Sequence, residues 1–246
     1  MCGRAWRPVL RPPNPELNMA TSTGNLDVPP GFQGLREDLP LRVYTRHMPH
    51  WRQQGATYFV TFRLADSIPE SRRHELERLK ADWERRNPPP RDKAALEALA
   101  RMIFERVEYW LDQGDGSCVL KEPRLAQRVD ESLHHFHGDR YELGASVVMS
   151  NHVHCIVRPL QSIDGDLEDI IGSWKSYTAR RINADLGLSD ALWQDESYDR
   201  ILRDGEHRWN SIQYLGRNPE KAGLPPEACR LWINPEWERL GWKFVS

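Results

Sequence analysis

The stretch that decides the fold reads Tyr141-Glu142-Leu143-Gly144-Ala145-Ser146-Val147-Val148-Met149-Ser150-Asn151-His152-Val153-His154-Cys155-Ile156-Val157-Arg158. Apolar and β-branched residues fill both halves, and Ser150-Asn151 interrupts them with residue types that favour turns. The pattern predicts a strand from Tyr141 to Met149, a tight turn, and a return strand from His152 to Arg158. Strands joined so closely pair antiparallel. In the return strand His152 and His154 stand two residues apart. Both imidazoles therefore leave one face while Val153 enters the other.

Upstream, Ala56 to Leu64 is β-branched and aromatic, follows Gly55 and stops at Asp66-Ser67, which reads as a strand and places the start of the folded pattern near residue 56. Three helical stretches lie between. Ser67 to Asn87 carries Pro69 in its first turn and Leu76, Leu79 and Trp83 at helical spacing, and ends at Asn87-Pro88-Pro89-Pro90. Residues 92–112 repeat the pattern with Leu96, Leu99, Ile103, Val107 and Trp110, and Pro123 to Phe136 follows with Leu125, Val129 and Leu133. Downstream, Asp166 to Leu186 closes on Gly187, and Glu206 to Leu215 forms a last helix. Strand, helix, paired strands, helix predicts an α+β fold of the split βαβ, ferredoxin-like kind, an antiparallel sheet with helices on one face. A helical insertion (about 88–120) and a C-terminal extension are added to it. A fourth strand is expected near Leu192-Trp193.

The chain has 246 residues, enough for one large domain and a real core. Seven prolines among the first forty residues and no apolar periodicity there predict a flexible N-terminal arm over 1–40, with Met19 an alternative start. No apolar run is long enough for a secretory signal or a membrane span. The four cysteines, Cys2, Cys118, Cys155 and Cys229, show no paired spacing, which points to a reducing cytoplasm; Cys155, in an apolar strand, reads as a small buried hydrophobe. The net charge of −2 lacks the overall basic footprint of many nucleic-acid binders. Residues 41–91, however, carry an excess of Lys and Arg, so a local basic groove is expected. Ten tryptophans are expected to serve mainly the core, with some available for stacking on bases.

Two same-face imidazoles are half of a divalent-metal site; taken alone, a pair of this kind more often consists of ordinary polar strand residues. Tyr177, inside Trp174-Lys175-Ser176-Tyr177-Thr178-Ala179-Arg180-Arg181, is a candidate nucleophile because nearby positive charge favours phenolate. Arg181, one turn on, shares its face. Packing is the alternative role for a helical tyrosine. His134-His135-Phe136-His137 lacks the cysteine spacing of a zinc site and reads as a solvated helix end. No phosphate-binding loop motif occurs.

Four segments taken in order resemble one family: Met149-Ser150-Asn151-His152-Val153-His154-Cys155-Ile156-Val157, the Trp174–Ala179 helix, Leu192–Asp204, and Tyr214-Leu215-Gly216-Arg217-Asn218-Pro219-Glu220-Lys221-Ala222-Gly223-Leu224. Together they resemble the REP-associated tyrosine transposases, a branch of the single-tyrosine HUH transposases. The resemblance covers roughly 41–224 as one domain and leaves 225–246 as a C-terminal tail. It implies metal-dependent nicking and strand transfer of single-stranded DNA at hairpin-forming sequences, through a 5′-phosphotyrosine. The residues it implies are Tyr177 as nucleophile and His152 and His154 as ligands of Mg²⁺ or Mn²⁺. Lys175, Arg180, Arg181 and Arg203 are expected on DNA. Related enzymes take a third ligand, Gln or Asn, one turn after the tyrosine. Here that place is Arg181, which cannot bind a cation, and Asn183 faces away, so the third ligand is left open between Glu196 and Asp195 of the following segment, with Glu196 the favoured oxygen donor. The C-terminal extension favours a monomer. A hairpin-binding protein without cleavage is the alternative.

Overall fold

The computed structural model describes residues 26–46, 48–160 and 166–245; the first part of the expected N-terminal arm, with Met19, lies outside the described residues. A hairpin comes first, β1 (Arg42–Thr45) against β2 (Pro49–Arg52). It is followed by β3 (Tyr58–Arg63), α1 (Glu70–Arg86), α2 (Lys93–Leu111) and α3 (Pro123–His134). The sequence hairpin forms as β4 (Tyr141–Val148) and β5 (His152–Pro159), and α4 (Asp166–Leu186) leads to β6 (Tyr198–Ile201). The chain ends with α5 (Gly205–Lys221), β7 (Arg230–Ile233) and α6 (Pro235–Arg239).

Local chemistry accounts for the boundaries. Asp92 caps α2 by accepting from the Ala95 N–H at 2.7 Å, and Asp204 caps α5 by accepting from the His207 N–H at 2.7 Å. Pro123 opens α3 where its missing N–H is not needed. Gly187 ends α4 with φ +65°, a left-handed conformation that glycine adopts without strain.

The main sheet has the order β6-β3-β5-β4-β7, and every pairing in it is antiparallel. The first two strands, β3 and β4, therefore run parallel to each other with β5 inserted antiparallel between them. That is the split βαβ arrangement expected from the sequence, within a mixed α+β fold. The fourth strand, β6, begins after the Leu192-Trp193 segment; Trp193 itself makes only an isolated bridge to Leu64.

Alternation along the strands divides the core in two. Tyr58, Val60 and Phe62 of β3 and Val153, Cys155 and Val157 of β5 face α3 and α4, where Leu125, Val129, Leu133, Ile170, Trp174 and Ile182 close over them. Burying side chains of this size contributes about 1.5–3 kcal/mol each. Phe59, Ala145, Val147 and Ile156 face the other way, towards Ile212 and Leu215 of α5 and towards Trp237 and Trp242. Helices thus cover both faces of the sheet, one more than the sequence pattern implies.

The second layer is completed by the chain ends. Residues 225–246, read from sequence as a tail, supply β7 on the edge of the sheet and two buried tryptophans. The Trp237 indole donates to the Pro30 carbonyl at 3.1 Å and Trp242 to that of Asp27 at 2.8 Å, so residues 26–32 are packed against the C-terminal segment. Gly144, at an irregularity in the β4–β5 register, lies under Trp237: a Cβ there would meet the indole at 2.2 Å. Six of the nine tryptophans among the described residues are buried, which commits most of them to the core. No helix among the described residues is long and apolar enough to cross a membrane.

Candidate metal centre and its tyrosine

His152 and His154 leave β5 on the α5 face and are 1% and 0% exposed. Each is oriented through Nδ1. The Asn151 side-chain NH₂ donates to the Leu111 carbonyl at 3.1 Å, which turns Oδ1 towards His152 Nδ1 at 2.7 Å. An amide oxygen only accepts, so His152 carries its proton on Nδ1 and keeps a lone pair on Nε2. His154 Nδ1 meets the Thr61 hydroxyl at 2.7 Å, directly across the β3–β5 ladder. Outer partners of this kind are what fix a ligating histidine.

The Nε2 atoms of both rings are buried and have no partner of hydrogen-bond geometry among the described residues. His154 Nε2 lies 3.2 Å from Glu108 Oε2, at ion-pair distance but without hydrogen-bond geometry. Glu108 enters from α2, and Glu108, His152 and His154 place one ligand atom each within 4.8 Å of one another. This buried Glu/His/His group can hold a metal ion. Two nitrogen donors and one carboxylate suit a divalent cation, and three ligands leave coordination positions open.

The electrostatics match that use. Burial, with the neighbouring His154, pushes the His152 pKa down to about 3, so the ring is neutral at ordinary pH. Burial would raise the Glu108 carboxyl, but His154, His152 and the Tyr214 hydroxyl together outweigh it and hold the pKa below the usual value. The carboxylate therefore stays charged in the interior.

Tyr214 completes the cluster. It stands on α5 with its ring centroid 5.5 Å from that of His154, and its hydroxyl donates a short hydrogen bond to Glu108 Oε2. Burial, then the Glu108 charge, raises its pKa above the ordinary phenol value. One turn on, Asn218 is fully buried; its NH₂ donates to the Tyr214 carbonyl at 2.9 Å and its Oδ1 has no partner of hydrogen-bond geometry among the described residues. Lys221 Nζ sits 4.0 Å from the centre of the Tyr214 ring.

The sequence-predicted residues divide. His152 and His154 come together as expected. Tyr177 does not join them. It is 44% exposed on α4, which packs on the opposite face of the sheet, over Val153, Cys155 and Val157. Arg181 stacks on the Tyr177 ring at 5.6 Å rather than near the histidines. Arg180 is exposed on the same helix. Glu196 accepts from the Met48 N–H at 3.0 Å and contacts His50 Nε2 at 3.1 Å, and it is not part of the metal-competent group. Lys175 Nζ donates to the Gln194 and Asp195 carbonyls at 2.9 and 3.0 Å, tying α4 to the following loop. Arg203 pairs with Glu97 at 2.6 Å. His134, His135 and His137 form no metal-competent group among the described residues.

Glu108 and Asn218 were missed, and each left a trace. Glu108 occupies the inward stripe of α2 with Ile103, Phe104, Val107 and Leu111, where a carboxylate is costly unless something uses it. Asn218 stands at i+4 from Tyr214 in Tyr214-Leu215-Gly216-Arg217-Asn218, the spacing sought around Tyr177.

A cleft of about 280 Å³ opens beside this centre, bounded by Thr61, Arg63, Arg73, Lys80, Glu108 and Glu196 among others. Burial, with the charge of Arg73, lowers the Arg63 pKa to about 10.

No protein-family model matches the chain, and no curated protein matches it. Among solved structures, it is similar to the structure of a REP-associated tyrosine transposase bound to a REP hairpin. That likeness covers 74% of each chain, with 15% sequence identity and a TM-score of 0.33.

Proposed function

We propose that the protein is a metal-dependent enzyme that nicks and rejoins single-stranded DNA at hairpin-forming sequences, with Tyr214 as the nucleophile. The observation that carries this reading is the convergence of the Tyr214 hydroxyl, the Glu108 carboxylate and the two imidazole Nε2 atoms on one buried point. A phenol placed against a metal-competent group is an arrangement suited to covalent phosphodiester cleavage. Tyr177 and its cations lie across the sheet, so Tyr214 takes the role that the family resemblance implied for Tyr177. Asn218 likewise supplies the oxygen one turn after the tyrosine, where the resemblance calls for Gln or Asn.

The chain's own residues define the steps. Glu108 Oε2 accepts the Tyr214 hydroxyl bond and is the group placed to take its proton as the oxygen attacks phosphorus. The bond from phosphorus to the phenolic oxygen forms and the bond from phosphorus to the 3′ oxygen breaks; the departing 3′ oxygen takes a proton from solvent, leaving a 5′-phosphotyrosine and a free 3′-hydroxyl. Attack by another 3′-hydroxyl reverses the exchange and joins strands without ATP. Thr61 and Asn151 hold the two rings so that both Nε2 atoms face Glu108. A divalent ion bound by Glu108, His152 and His154, with Asn218 beside them, would polarise the phosphate and offset the developing charge. The mixed nitrogen and oxygen donors suit Mn²⁺ better than Mg²⁺, which prefers oxygen alone.

The test is a labelled hairpin-bearing single strand incubated with protein and Mn²⁺. Wild type and Tyr177→Phe should form a covalent adduct and Tyr214→Phe none. An adduct that survives Tyr214→Phe and is lost in Tyr177→Phe would restore Tyr177. DNA binding without any adduct in wild type favours a binding protein that does not cleave.

A further inference from the structure

The cleft beside Glu108 contains a cation that the metal centre does not use. Arg63 is the last residue of β3 and stands directly opposite His152 in the β3–β5 register. Residues opposite each other in an antiparallel pair share a face, so the Arg63 side chain leaves on the metal side of the sheet. Its guanidinium makes one hydrogen bond, from Nη1 to the Ser67 hydroxyl at 3.2 Å, and no ion pair among the described residues. A guanidinium carries five N–H donors, so most of this fork is uncommitted. Arg73 of α1 lines the same cleft, and its charge opposes that of Arg63. Glu196, which also lines the cleft, offsets part of this charge, while its carboxylate accepts from the Met48 N–H and contacts His50 Nε2. A half-buried cation facing a second cation is costly unless an anion comes to it. The wall it shares with Glu108 places that anion next to the proposed reaction centre.

We propose that Arg63, with Arg73 at the rim, grips a backbone phosphodiester of single-stranded DNA in this cleft and so positions the strand over the metal centre. A planar guanidinium matches two phosphate oxygens at once, which a lysine cannot do. The proposal rests on the strand-nicking reading for the identity of the anion, and its test is independent of cleavage.

The probe is a fluorescein-labelled oligodeoxythymidine, with anisotropy measured across a salt series in EDTA for wild type, Arg63→Gln and Arg63→Lys. Arg63→Gln should weaken binding roughly tenfold at low salt and reduce the magnitude of the log K against log salt slope by about 0.7, the loss of one single-strand phosphate contact. Arg63→Lys should keep the slope and bind more weakly than wild type. Mn²⁺ affinity should stay within about twofold in all three, since the contact is to the strand and not to the ligands. Unchanged affinity and slope in Arg63→Gln overturns the proposal. So does a parallel loss of Mn²⁺ binding, which would mean that Arg63 only supports the fold, or a wild type that binds no oligonucleotide. Arg63-dependent binding without a covalent adduct refutes the nicking reading and leaves the phosphate grip standing. An adduct in wild type with Arg63-independent binding refutes the grip alone.

Discussion

Replacing Glu108 by Gln keeps the shape of the side chain and an acceptor for the Tyr214 hydroxyl while removing the one anionic ligand of the cluster. With Mn²⁺ at about one hundred times its dissociation constant, binding stabilises the wild-type fold by about 2.7 kcal/mol. For a chain of this length that raises Tm by roughly 5–11 °C. Losing even an outer partner of a metal ligand costs about 10–100-fold in affinity, so losing one ligand of three should cost about 100-fold or more. At the same Mn²⁺ concentration the variant then retains about 0.4 kcal/mol, a shift of roughly 1–2 °C. Without metal, Glu108 is a buried carboxylate kept charged by its histidine and tyrosine neighbours, so the variant should start from a lower midpoint in EDTA, by up to about 3–5 kcal/mol, and each Mn²⁺ shift is read against its own EDTA baseline. The assay is thermal unfolding of both proteins in EDTA and across a Mn²⁺ series. A full Mn²⁺ shift in Glu108→Gln, or no shift in wild type, refutes the centre as described.

Three further outcomes are expected. Asn151→Ala removes the acceptor that orients His152 and should weaken Mn²⁺ binding about 10–100-fold, read from the same thermal shifts. In metal-free protein His152 is held near a pKa of about 3 against 6.5 when unfolded, so the unfolded chain takes up a proton first as pH falls. The stability this provides is complete above about pH 6.5 and is lost towards pH 3, by at most about 1.4 kcal/mol per pH unit. Urea midpoints at pH 6.5 and pH 5 should therefore fall less in His152→Gln than in wild type, and equal falls would contradict the assignment. Trp237→Ala opens the second core and breaks the indole bond to Pro30, which should cost about 3–5 kcal/mol by denaturant titration. A loss under about 1 kcal/mol would show that the C-terminal segment is dispensable.

Much of the architecture is legible in the chain because it is local. The Tyr141–Arg158 hairpin and the Asp166–Leu186 helix fall where alternation, 3.6-residue periodicity and Gly187 place them. The end segments carry no such local signal. Trp237 and Trp242 have no periodic partners nearby in sequence; they are buried because residues 26–32 and α5 close around them. Glu108 shows only as a carboxylate on an inward stripe.

By itself, the sequence determined that His152 and His154 project together, since the two-residue period of a strand leaves no other option. It determined the α+β element order for the same kind of reason. Which tyrosine meets those histidines was decided only by tertiary structure. Tyr177 and Tyr214 both lie on amphipathic helices, 23 and 60 residues beyond His154. Periodicity shows which side of a helix is buried, but not which face of the sheet receives it. α4 packs over Val153, Cys155 and Val157, and α5 packs over Ile156, on the side to which the imidazoles point. That choice depends on contacts among segments far apart in the chain, and it brings Tyr214, Asn218 and Glu108 to the two histidines and leaves Tyr177 facing solvent.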